Sequence, residues 1–241
     1  MKTFINYLLV CVIIGMTQAC SQKTFEEEFV DENPIAKTGI VKFKYQGYIY
    51  TSKYERNGDN IIYDDKEIDN IINSFKENPN LSVYIHSNGL QEYFNSYSIF
   101  LAQNSLNKDS ISPVTRATGI SSATLTVYTR TKYRGDKGSF TVNLQRPYLQ
   151  INDLGTYNLA NQITSMKLNG ISATNSTYMR CRATFFEHVN CQGRSCTFEI
   201  TYPNLDLGIK DFANVSLNPI PLLPDPLDDK TNSIRLELII M

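Results

Sequence analysis

Side chains able to do acid-base or nucleophilic chemistry near neutral pH are scarce in these 241 residues. Histidine, whose charge changes most readily in that range, occurs twice, as His86 and His188. Glu187-His188 with the later Ser195 has the letters of a hydrolytic triad, but no GxSxG, HExxH or phosphate-cradling glycine loop accompanies it. His86 stands beside the turn pair Asn88-Gly89 and reads as an exposed residue at a strand end. Cys181, Cys191 and Cys196 fall within one short segment and contain no CxxC. That spacing argues against structural zinc and for one disulfide with one thiol left over, with all three pairings open. We therefore expect no catalytic residues and read the protein as not an enzyme.

The elements around these residues begin with Met1-Lys2, an apolar run from Phe4 to Met16, and Thr17-Gln18-Ala19-Cys20. This is the layout of a signal peptide over residues 1–19, too short in its apolar part for a helix of roughly 20 residues that crosses a bilayer. Cys20 after Ala19 resembles a bacterial lipoprotein site, at which it would carry the lipid; cleavage with ordinary secretion is the other reading. Residues 20–38 form an acidic tether, and Lys23-Thr24-Phe25-Glu26-Glu27-Glu28 is similar to the export tag of Bacteroidetes-type surface lipoproteins. The expected location is the bacterial cell envelope, on an outer-membrane lipid anchor, or outside the cell if Cys20 is not used. Lys plus Arg number 23 against 24 Asp plus Glu, a balance with no basic field to gather nucleic acid.

Residues 39–101 read as a small ββαββ module. Val41, Phe43 and Tyr45 alternate up to Gln46-Gly47, and Tyr48 and Tyr50 continue the pattern as a hairpin. Asp64 and Asp65 can cap a helix with Ile68, Ile71, Ile72 and Phe75 on one face, ending at Asn78-Pro79. Leu81, Val83 and Ile85 then lead through Asn88-Gly89 into a return arm. Residues 102–119, rich in Ser, Asn and Thr, read as a linker.

From residue 120 the chain carries two related copies, over 120–170 and 179–240. Tyr128, Tyr133 and Gly135 in the first match Phe186, Cys191 and Gly193 in the second at a constant offset, and Ser139 and Ser195 each open an alternating strand. Asp-Leu-Gly recurs at 153–155 and 206–208. Aromatic, four residues, aromatic, one residue and glycine, with a later serine, resembles the Greek-key motif of the βγ-crystallin family. That resemblance implies a mainly β fold: a double Greek-key β-sandwich over 120–241, with the glycines at positive φ folding each first hairpin back. Cys191 stands where the second copy would carry its second aromatic.

The same family resemblance implies calcium. Its microbial members carry N/D-N/D-x-x-S/T-S in each motif, and calcium takes six to eight oxygen ligands of the kind this pattern supplies. The second copy reads Asp228-Asp229-Lys230-Thr231-Asn232-Ser233, the first Ala160-Asn161-Gln162-Ile163-Thr164-Ser165. The candidate ligands are Asp228, Asp229, Lys230, Asn161, Gln162 and Thr164. If Thr164 completes a site with Asp228 and Asp229, one site is nearly intact and the other, with Ala160 and Asn232, is damaged; if each motif builds its own, both are weak. The expected function is a non-catalytic binding or structural protein at the cell surface, meeting a protein or glycan partner, with Ca2+ of low affinity. The other reading is a proteinase inhibitor acting through the Pro-rich loop 216–227, by analogy with bacterial inhibitors of this fold.

Overall fold

The computed structural model describes residues 37–57, 60–104, 118–212 and 229–240. The signal segment, Cys20, the tether up to residue 36, the Pro-rich loop and Asp228 lie outside the described residues, as does most of the linker.

The first elements follow from local signals. β1 (Lys37–Tyr45) and β2 (Tyr48–Asn57) pair antiparallel around Gln46-Gly47, both at positive φ, as a two-residue hairpin turn requires. β3 (Asn60–Tyr63) adds to β2, a strand the pattern of the sequence did not announce. In α1 (Lys66–Glu77) the Asp65 carboxylate accepts from the Glu67 N–H at 2.8 Å, and Ile68, Ile72 and Phe75 are buried. β4 (Ser82–Ile85) and β5 (Gln91–Phe94) form the second hairpin, and β5 lies parallel to β1. α2 (Tyr97–Asn104) closes this part and buries Phe100.

Eight strands follow: β6 (Thr118–Arg130), β7 (Arg134–Asn143), β8 (Tyr148–Ile151), β9 (Ser165–Thr174), β10 (Tyr178–His188), β11 (Gln192–Thr201), β12 (Asp206–Ile209) and β13 (Ser233–Ile240). The protein is mainly β, with two sheets enclosing one core of residues such as Leu125, Leu168, Phe185, Phe198 and Leu236. One sheet runs β12-β9-β6-β7, and the other ends β11-β10-β13-β8. Each therefore takes three strands from one copy and one strand, β8 or β12, from the other.

The larger sheet does not stop at β11. β4 pairs parallel to it, Cys196 opposite Val83 and Phe198 opposite Ile85, so nine strands run without interruption from β3 to β8. Paired residues share a face. Val83 packs in the cluster around α1, whereas Cys196 and Phe198 belong to the sandwich core, so α1 and the four-stranded sheet cover one face side by side. On the opposite face α2 sets Phe100 against Tyr84, Phe94 and the guanidinium of Arg182, and Tyr97 edge-on against Phe186. Beneath it Arg182, almost wholly buried, meets Glu199 at 2.6 Å.

Candidate functional site

The two fold-back hairpins share one backbone course. Lys132, Tyr133 and Gly135 have positive φ, as do Asn190, Cys191 and Gly193, and both strands carry an irregularity of register at the same place, after Tyr128 and after Phe186. At Gly135 and Gly193 φ is +80°, a conformation glycine adopts without strain. Tyr133 packs on Tyr128 with ring centroids 5.8 Å apart; in the second copy Phe186 is buried against Tyr97, and Cys191 takes the turn position.

A buried serine pins each hairpin from the late segment of its own copy. Ser165 Oγ accepts from the Tyr133 N–H at 3.1 Å and donates to the Arg130 carbonyl at 2.7 Å. Ser233 Oγ accepts from the Cys191 N–H at 3.0 Å and donates to the His188 carbonyl at 2.5 Å. The serines singled out from sequence sit elsewhere: Ser139 faces Thr126 on the β6–β7 ladder at 3.3 Å, and buried Ser195 donates to Ser82 at 3.0 Å across the β11–β4 junction. Ser165 and Ser233 already close both calcium-type patterns, and their shared place there was the signal for this role.

The equivalence of the copies extends to exchanged contacts. Lys132 N–H donates to the Lys210 carbonyl and Asn190 N–H to that of Asn152; Phe212 N–H donates to Thr164 and Leu154 N–H to Asn232. Asp211-Phe212 therefore corresponds to Asp153-Leu154. The match of Asp-Leu-Gly at 206–208 to 153–155 is corrected, because Asp206 opens β12, the counterpart of β8.

The late segments meet crosswise. Asn161 and Asp229 occupy the same left-handed conformation, φ 52° and 54°. Asn161 N–H donates to the Thr231 carbonyl at 2.9 Å, and the Asn232 amide Nδ2 donates both to Asn161 Oδ1 at 2.8 Å and to the Glu187 carbonyl at 2.7 Å. An amide N–H2 thus stands between two oxygens that a cation would otherwise draw together. Arg194 grips Glu187 with two guanidinium nitrogens, at 2.6 and 3.0 Å, and this hydrogen bonding holds the Glu187 carboxyl below its usual range, with Lys230 adding to the effect. In the other half Thr164 Oγ1 donates to the Thr129 carbonyl at 3.1 Å, the place that Asn232 takes against Glu187. Asp229 and Gln162 are exposed. No group of three or more His, Cys, Asp or Glu that could hold a metal occurs among the described residues.

The disulfide expected in the second copy is not present, and Cys181, Cys191 and Cys196 are free. Cys181 pairs with Ile200, four residues along β11 from Cys196, which separates the two by about 13 Å, beyond the reach of a disulfide. Burial pushes all three thiols up in pKa. Glu187, His188 and Ser195 are engaged separately, with the His188 ring lying against Gly193. His86 is half-buried and bonded to Glu92 at 2.9 Å, whose other oxygen meets Lys44 at 2.8 Å. That network links residues far apart in sequence and had no sequence signal.

Comparisons with family models, with curated proteins and with solved structures find no match to this chain.

Proposed function

We propose that this chain is a non-catalytic cell-envelope protein, anchored through a lipid on Cys20, that displays a βγ-crystallin-like double Greek-key domain able to take one calcium ion. The observation that carries the reading is the crosswise bond from Asn232 to Asn161, made by the residue that takes in the second copy the place of Thr164 in the first. The exchanged strands β8 and β12 and the paired serine pins support the same fold.

The crosswise bond supports the pairing of Thr164 with Asp228 and Asp229 rather than one site within each copy. On this reading the half holding Asn161 is filled by the Asn232 amide and flanked by the Arg194 and Lys230 cations, which disfavour a further positive charge. The half holding Asp229 keeps its carboxylate and hydroxyl oxygens for calcium. Its affinity falls in the weak range of extracellular modules, about 10⁻⁴ to 10⁻³ M.

Thermal unfolding in EDTA and then in a calcium series tests this, because a ligand that binds only the folded chain stabilises it by about 2.7 kcal/mol at 100 times its Kd. Asp229→Ala should abolish the rise in midpoint and Asn161→Ala should leave it. Asn232→Ser, which removes the competing amide and supplies a hydroxyl, should enlarge it. No shift at several millimolar calcium sinks the metal reading.

A further inference from the structure

The nine-stranded sheet overhangs the four-stranded one. β4 and β5 continue it past β11, while the smaller sheet ends at β12, whose one strand partner among the described residues is β9. Between the overhang and that edge lies a cleft of about 520 Å³. Phe198, Ile200, Leu207 and Ile209 give it apolar walls that belong to the sandwich core or pack on it. Leu207 and Ile209 remain only half-buried, so core surface is open to water here.

Among the described residues nothing pairs with the outer side of the backbone beside the cleft. Gly170 N–H donates to the Leu205 carbonyl at 2.7 Å, so Leu205 faces β9. Inward and outward bonding alternate along an antiparallel strand. Leu207 and Ile209 therefore also bond toward β9, and the N–H and C=O groups of Asp206 and Gly208 point away along the edge. Natural edges are commonly blunted with lysine, proline or a bulge. β12 reads Asp206-Leu207-Gly208-Ile209, and its register against β9 runs without a shift.

The charge beside the cleft is that of Asp206, for the lining among the described residues includes no Lys or Arg, and Glu199 turns its carboxylate to the opposite face, onto Arg182 and Tyr84. Asp206 is exposed, and among the described residues its carboxylate meets a neutral donor, Asn169 Nδ2, at 2.6 Å.

We propose that the β12 edge and its cleft form a docking site for an extended strand of a partner protein. That strand pairs with the backbone of Asp206 and Gly208, turns alternate apolar side chains into the cleft beside Leu207 and Ile209, and carries a lysine or arginine opposite Asp206. Side chains directly opposite in a ladder share a face, so the residues facing Leu207 and Ile209 enter the cleft, and main-chain bonds supply the rest of the affinity.

The test is selection of a phage-displayed random dodecapeptide library on the full chain, followed by affinity measurements with the selected peptides made synthetically. Enriched peptides should alternate apolar residues and carry a basic one. Asp206→Pro removes an outward N–H and the carboxylate, with its bond to Asn169, while sparing the main-chain bonds to β9, and should weaken binding at least about tenfold, as expected for loss of a charge-assisted contact and a main-chain bond together. Asp206→Asn should weaken it less and relax the preference for a basic residue. N-methylation of the peptide amides that face β12 should abolish binding to the unaltered protein, a readout independent of how Asp206→Pro folds. No enrichment over the naive library, or binders indifferent to both Asp206→Pro and N-methylation, overturns the proposal.

Discussion

Ser165 and Ser233 show how much of this architecture rests on single hydroxyls. Each satisfies a backbone N–H and a carbonyl in a strained turn. Replacing either with alanine leaves a buried amide without a partner, which costs about 1–3 kcal/mol. At about 2–4 °C per kcal/mol for a chain of this size, each variant should show a clear fall in thermal midpoint. A change under about 0.5 kcal/mol in both would mean the hairpins hold themselves. Glu187 makes a second prediction. Its folded pKa is depressed, chiefly by the Arg194 hydrogen bond, so its contribution to stability is present above the unfolded value and lost as pH falls through the folded one. Urea midpoints measured from pH 7 down to pH 3 should therefore drop less steeply in Glu187→Gln than in the unaltered chain. Residue roles were only partly legible in sequence. The positive-φ glycines were, because the motif needs them, whereas Ser139 and Ser195 share with the true pins both residue type and an alternating strand, and sequence alone cannot say which hydroxyl reaches the turn.

Among the elements, α1 was readable because its capping aspartate and apolar face lie within a few turns of each other. So were both hairpins, fixed by Gln46-Gly47 and Asn88-Gly89. α2 was not. Tyr97, Phe100 and Leu101 are interleaved with Ser98 and Asn104 over only eight residues, too few for a periodic stripe to stand out. Its work is nonetheless large: Phe100 is fully buried against Tyr84, Phe94, Tyr97 and Arg182. Phe100→Ala should cost about 3–5 kcal/mol, read as a loss in urea midpoint. It should also raise protease cleavage near residue 104, since Tyr97 on Phe186 anchors the other end of the helix. A loss under about 1 kcal/mol would show that α2 only rests on the sheet. Asp206-Leu207-Gly208 misled for the opposite reason. Identical letters suggested an equivalence, while the true counterpart, Asp211-Phe212, keeps the aspartate and the buried apolar position but not the spelling.

In the whole molecule the decisive pairing is β4 with β11, between residues more than a hundred positions apart and parallel, which no local pattern discloses. It makes the strands β1 to β5 and the sandwich share one sheet. Val83→Pro, placed where β4 bonds β11 and β5, should lower amide-exchange protection in β1 and β2 and in β10 and β11 together. Loss confined to the first pair would mean that the two parts open independently. The interior place of β13 reaches further. It lies between β10 and β8, joining a strand of the first copy to those of the second, rather than at a margin of the sheet. A chain emerging from the ribosome can form its early hairpins and α1 as they appear, but it has no seat for β8 until Ser233 to Ile240 have been made. Folding of the sandwich must wait for β13, and until then the edge of β10 that it covers stays open to whatever else is nearby.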